Sequence, residues 1–401
     1  MRVGILTYHC VPNFGAQLQA MSTVGYLKKN GHTPVLLHWY PKDLEELYVR
    51  RVPKIQRKCH KRFTEENYPL SSLCRNEKQL IKEIEQQQLD MIITGSDALF
   101  KYKPRCDRRR GFSKRRLRFV NNFVSCEDLQ GNPFFCSYYG ELSRQIPVVA
   151  FSVSSQSCPY YKMTEEEKDL MGLYMRNFKK ITVRDRWTKQ MVEEIAGLQD
   201  IRITPDPVFA FNQNCYIHIP TIDELRKRFS LPEHYILFSF SPNILRREYV
   251  KSLENLLRER GIKIIALPEP EGLGGYDFEN FISLPLSPIE WYALIKHSSG
   301  FVGTRMHPVI VSLHNAVPFF SFDTNGTFDS ITGKFNQKSS KIYDILAIAG
   351  FEKNTYSLYC GEKVPDIITI KNKLFSFDRD SCAFFSHERS EMFMEEMRLL
   401  F

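Results

Sequence analysis

No C-x-x-C pair and no cysteine–histidine grouping at zinc spacing occurs in the 401 residues. Ten cysteines are present, at 10, 59, 74, 106, 126, 136, 158, 215, 360 and 382, and their scatter excludes a zinc module or a dense disulfide framework. Free thiols in a reducing compartment are expected, and no metal site. No apolar run approaches the ~20 residues of a membrane-spanning helix. A charged leader with a short apolar stretch is also missing: residue 1 opens into "RVGILTY", a buried-strand pattern, so a cytoplasmic protein is expected. There is no G-x-G-x-x-G, which removes the dinucleotide fingerprint.

What is present begins with charge. The net charge is +9, and "KYKPRCDRRRGFSKRRLR" (101–118) sets ten Lys/Arg against one acid, Asp107. The rest of the chain therefore sums to zero. That neutrality leaves no wider basic face for a nucleic-acid duplex, so no nucleic-acid partner is expected. Arg108, Arg109, Arg110, Arg115 and Arg116 are candidates for contact with an anionic membrane surface or with a diphosphate.

The length calls for two domains of roughly 150 to 200 residues each. Strand-like runs ("RVGILTY", "TPVLLHW", "DMIITG", "IPVVAFSVS", "KITV", "IRITPD") alternate with amphipathic helical stretches. A second series restarts after residue 220 with "YILFSF", "IKIIALP", "GFVGT" and "VPFFSFD". Short apolar strands between amphipathic helices predict parallel sheets covered on both faces. The fold class is therefore α/β, two doubly wound Rossmann-like domains in a GT-B-like arrangement with a cleft between them. Expected boundaries are 1–210, 211–385 and a C-terminal helix over 386–401 packing back on the body. "DPVFAFNQNCYIHIPT" reads as the linker. Ligands of such sheets sit beyond the carboxyl ends of the strands.

Four places there carry candidate chemistry. In "GTRMHPVIVSLHNAVPFFSFD" (303–323) a strand ends at Gly303 and a helix opens, so free amides and the helix dipole favour an anion. Arg305 can add a bidentate fork and His307 a hydrogen bond or a proton. In "KKITVRDRW", Arg184 ends a strand and either faces the cleft or pairs with Asp185 or Asp206. In "GILTYHCVPNFGAQLQA", His9 ends a strand, and Asn13, Phe14 and Gly15 form a turn into a helix. In "MIITGSD", Ser96 and Asp97 follow a strand, and Asp97 is the expected carboxylate of that side.

Taken in order, "GILTYH…NFGAQLQA", "ITGSD", "ITVRD", "DPVF" and "GTRMHPVIVSLHNAVPFFSFD" resemble the polysaccharide pyruvyl transferase family, with "SSKIYDILAIAGF" extending the likeness to about residue 351. The resemblance implies transfer of a pyruvyl group from phosphoenolpyruvate to two hydroxyls of a sugar, giving a cyclic ketal and phosphate. It places the donor on Arg184, Arg305, Met306 (through its backbone) and His307, with phosphoenolpyruvate a co-substrate and no cofactor. His307 is the expected acid, and Asp97 and His9 the candidate bases. Asn13, Phe14, Gly15, Ser96 and Asp97 are expected on the acceptor side, where a lipid-linked, polyprenyl-diphosphate sugar would sit. The chain departs from the family after "GSD", where Ala98, Leu99 and Phe100 stand in place of a nearby Gln and Trp, and in its basic stretch. A nucleotide-sugar glycosyltransferase of the same layout is the alternative.

Overall fold

The computed structural model describes residues 1–108, 111–113, 118–120, 125–129, 131–328, 334–361 and 363–401. In the first half, β1 (Arg2–Leu6), β2 (Thr33–Leu36), β3 (Met91–Thr94), β4 (Val148–Val153), β5 (Lys180–Val183) and β6 (Arg202–Ile203) form one sheet in the order β2-β1-β3-β4-β5-β6. All its pairings are parallel, with Val3 opposite Met91 and Ile93 opposite Val149. Both β3 and β4 are buried at every residue, as strands covered on two faces must be.

The second half repeats the plan. Here β7 (Tyr235–Ser239), β8 (Lys263–Ala266), β9 (Gly300–Gly303), β10 (Phe319–Asp323) and β11 (Thr355–Ser357) lie in the order β8-β7-β9-β10-β11, again all parallel. In both sheets the chain leaves the first strand to one side and returns to the other. The order thus reverses between β1 and β3 and between β7 and β9, where a doubly wound sheet opens a crevice at its carboxyl edge.

The helix Phe14–Lys29 follows β1; Asn13 caps it by accepting a hydrogen bond from the Ala16 N–H, and Lys28 and Lys29 sit at its negative end. Its buried face meets the second half, so its apolar residues belong to a core that runs from Val3 through Phe209 and Leu237 to Met397. Two further clusters fill the outer faces, one under the first sheet around Leu6 and Phe135, the other under the second around Phe238 and Phe322.

The expected linker differs from an exposed tether. Residues 207–214 form a short turn and a one-turn helix, and Val208, Phe209, Ala210 and Phe211 are fully buried. Four consecutive apolar residues have to be covered, and the helices Phe14–Lys29, Met306–His314 and Arg379–Arg398 cover them.

The last helix begins earlier than the pattern predicts, at Arg379, and ends at Arg398. Phe393 and Met397 are buried, joined by Cys382 and Phe385, whereas Phe401 lies beyond the helix and is exposed. Glu396 is buried and takes Lys180 at 3.2 Å and Arg202 at 2.5 Å, so this helix docks on strands of the first half. Among the described residues no helix is long and apolar enough to cross a membrane.

Candidate active site

Between the two carboxyl edges lies a cavity of about 550 Å³. The first half contributes Tyr8, Asn13, Phe14, Gly15, Asp97, Lys101 and Glu127 to its lining, and the second contributes Glu269, Glu271, Thr304, Arg305, Met306, His307 and Lys341.

Next to its lining residues Asp97, His307 and Lys341 lies a buried charge cluster. Arg184, the residue after β5, is 4% exposed. Its Nη1 donates to Asp206 Oδ2 at 2.5 Å, and its Nη2 stands 3.8 Å from Asp97 Oδ1. Arg184 thus makes the Asp206 ion pair, while Asp185 caps the helix Arg186–Ala196 by accepting from the Thr188 N–H. Gln19 shares the load on Asp206 at 2.6 Å. Yet Arg184 Nε and Nη2 are buried without a hydrogen-bond partner, which is costly for a guanidinium.

Asp97 is presented by a strained turn. It holds φ +110°, and a Cβ on the preceding Gly95 (φ +141°) would fall 2.0 Å from the Phe151 carbonyl oxygen, so only glycine fits there. Burial would raise the Asp97 carboxyl, but His307, Arg184 and Lys341 together hold it below the usual range. Lys341, the first residue of the helix Lys341–Ile348, is driven down to about 8 by burial and then by Arg184. His307 is also lowered, chiefly by burial, against the opposing pull of Asp97 and Asp206.

His307 joins the halves. Its Nε2 is buried with no partner. A Cβ on Gly15, in the opposite half, would lie 2.0 Å from its Cγ and 2.2 Å from its Nδ1, so the ring rests directly on that glycine. Phe14 beside it stacks on Trp291 with centroids 5.2 Å apart, a second contact across the cleft. Arg305 caps the helix Met306–His314 from extended backbone, and its side chain is 42% exposed. Its Nη2 lies 3.3 Å from Glu271 and its Nε 3.9 Å from Glu269. Met306 is buried at the first turn and lines the cavity.

The other wall is built from Tyr8, Lys101 and Glu127. The Tyr8 hydroxyl donates to Glu127 Oε2 at 2.5 Å, and Lys101 Nζ lies 3.6 Å from the same oxygen.

Several expected site residues lie elsewhere. His9 is completely buried, hydrogen-bonded through Nδ1 to Thr7 O and through Nε2 to His38 at 2.9 Å, and burial lowers it to about 3. Leaving β1, Tyr8 turns to the cleft and His9 turns back, so His9 does not line the cavity. Ser96 is likewise turned inward, donating to Ser152 O at 2.7 Å. Arg108 is corrected too: its Nε donates to Lys103 O at 2.7 Å, its Nη2 to the Tyr102 hydroxyl at 2.6 Å, and Glu167 lies 3.8 Å away. Arg105 pairs with Glu166 at 2.7 Å, so the start of the basic stretch is tied to the body. Arg109, Arg110, Arg115 and Arg116 lie outside the described residues. Lys341 and Glu127 escaped the sequence reading. Among the described residues, no group of three or more histidine, cysteine or acidic side chains is placed to hold a metal.

Two Rossmann-like sheets facing across a polar cleft define a GT-B protein. UDP-GlcNAc 2-epimerase from Methanocaldococcus jannaschii superposes with a TM-score of 0.55 at 9% identity over 100% of this chain and 99% of that one. Arabidopsis thaliana UGT89C1 complexed with quercetin gives 0.53 at 10%, covering 99% and 98%. At such identities the likeness is one of fold. No curated protein matches the chain significantly. The model of the polysaccharide pyruvyl transferase family matches residues 13–326, and the chain belongs to that family.

Proposed function

We propose that the protein transfers the pyruvyl group of phosphoenolpyruvate to two hydroxyls of a sugar, forming a cyclic ketal and releasing phosphate. The observation that carries this reading is the cationic side of the cleft, where His307, lining the cavity with Lys341, has a buried, unpartnered nitrogen and Arg184, 3.8 Å from the lining residue Asp97, has two. A small ligand with a carboxylate and a phosphate would satisfy them, and Arg305 with the first amides of the helix Met306–His314 would add a second anion site. Asp97, Asp185 and Asp206 balance the charge of Arg184, as their pulls on it indicate.

His307 serves as the acid in this scheme. Burial lowers its pKa, and an arriving anionic donor pushes it back towards the imidazolium. A proton delivered to the methylene carbon makes the adjacent carbon electrophilic. One sugar hydroxyl adds there, and the second displaces phosphate. No metal is needed where fixed cations meet the developing charge.

The acceptor in this reading is a lipid-linked oligosaccharide approached from the first half, with Arg109, Arg110, Arg115 and Arg116 as contacts for an anionic leaflet or for its diphosphate. The test is phosphate release from phosphoenolpyruvate with the pure protein and candidate diol-bearing glycans, together with recovery of an acid-labile ketal. Turnover of a nucleotide sugar without use of phosphoenolpyruvate would establish the glycosyltransferase alternative in its place.

A further inference from the structure

Outside the donor cluster the cavity has three glutamates: Glu269 and Glu271 pair with Arg305, which leaves Glu127. Glu127 lines the cavity from the first half, is 1% exposed, and is held by the Tyr8 hydroxyl and Lys101 on Oε2. Its Oε1 is buried and has no partner. A carboxyl so enclosed, with one oxygen satisfied and the other unsatisfied, is arranged to receive a proton or a hydroxyl from something that enters the cleft. Its backbone is fixed as well. Ser125 and Asp128 close a capping box around the turn Cys126–Asp128, Cys126 N–H donates to Asp43 at 2.7 Å, and Asn132 donates to Glu127 O at 2.6 Å.

We propose that Glu127 is the base that takes the proton of the acceptor hydroxyl, with Tyr8 and Lys101 as its positioning residues. The proposal rests on the pyruvyl-transfer reading. Asp97 is the weaker base, because three cations stabilise its ionised form. In the step assigned to Glu127, the hydroxyl O–H bond breaks and its proton moves to Oε1 as the oxygen bonds to the central carbon of phosphoenolpyruvate. The methylene carbon takes a proton from the acid. The second hydroxyl then forms the ring as the carbon–phosphate oxygen bond breaks, and its proton leaves with the phosphate. Between turnovers Glu127 returns its proton to water and His307 takes one up, so the protons balance.

Burial lifts the Glu127 carboxyl to about 7, with Lys101 and Tyr8 pulling the other way. Facing it are Tyr8 and Cys10 after β1, Asp43 and Tyr48 on the helix Lys42–Arg51, Lys101 after β3, and Cys126 and Asp128 beside it in the chain. Lys101 is the one cation of that group. The base is competent once deprotonated, so kcat should rise with pH through about 7.

The test compares wild type, Glu127→Gln and Tyr8→Phe. Glu127→Gln should lower kcat by roughly a hundredfold or more, the scale of a general base, and remove the acid limb of the profile. Its affinity for phosphoenolpyruvate, measured by calorimetry, should stay that of wild type. Tyr8→Phe removes a hydrogen bond that favours the ionised carboxyl, so its limb should move to higher pH; this shift decides the matter if Glu127→Gln does not fold. Wild-type kcat with the acid limb intact in Glu127→Gln overturns the assignment, as does a fall in melting temperature with unchanged kcat. Should wild type itself neither bind phosphoenolpyruvate nor release phosphate, the pyruvyl-transfer reading falls first and takes this step with it.

Discussion

Asp97 and Glu127 are carboxyls buried in one cleft, on the same half of the protein, and their acidities diverge. Asp97 is held below the usual range while Glu127 rises to about 7. Burial acts on both in the same direction, so it cannot explain the split. The difference lies in the cations: Arg184, Lys341 and His307 surround Asp97, whereas Glu127 has Lys101 and several acids or phenols. One wall of the cleft is thereby prepared for charge and the other for protons.

The contrast breaks most completely at Arg184. Removing one partner of a buried pair costs about 3–5 kcal/mol, so Arg184→Ala should lower the melting temperature sharply and raise the Asp97 carboxyl towards that of Glu127. An unchanged melting curve would show that Asp97 and Asp206 do not depend on it. Next in size is Gly15→Ala. The new Cβ would enter the His307 ring, and displacement of a catalytic group by about 1 Å costs roughly a hundredfold in rate. Phosphate release measures it, and wild-type turnover would mean that the ring position is immaterial.

Arg305→Lys sharpens the donor side. It keeps the charge and loses the fork, worth about 1.5–3 kcal/mol, so the KM for phosphoenolpyruvate should rise roughly ten- to over a hundredfold. The smallest effect concerns Lys341, whose ammonium loses its proton as pH climbs through about 8. Donor affinity should fall over that window, because only the protonated lysine attracts an anion. Lys341→Arg should flatten the decline between roughly pH 7 and 9, since a guanidinium stays charged; calorimetry at several pH values reads it.

Much of this was legible in the sequence because it depends on local pattern. Short apolar strands followed by amphipathic helices gave both sheets, and glycine or an arginine at strand ends marked the cleft. Period-two alternation also explains the miss at His9, for a strand end that sends Tyr8 into the cleft sends its neighbour back. Glu127 lay in "SCEDLQGN", a stretch without periodicity, and its burial comes from Tyr8 and the helix Lys42–Arg51, far away in the chain. Lys341, within "SSKIYDILAIAGF", has no neighbour in the sequence that marks it as facing a cleft. Net charge also concealed a local feature: Lys54, Arg57, Lys58 and Lys61 border a second cavity with Arg75, although the residues outside 101–118 sum to zero.

The buried segment 207–214 and the final helix have a consequence for synthesis. The first half is made first, as in any chain emerging from a ribosome. Its helix Phe14–Lys29 and the apolar run Val208–Phe211 belong to a core completed by residues of the second half and by Phe385, Phe393 and Met397 near the very end. The nascent first half must therefore carry an uncovered apolar face until the residues up to Met397 have been made. A ribosome-stalled chain ending near residue 375 should stay open to proteases and chaperones, and the finished protein should gain its resistance only when the last helix is released.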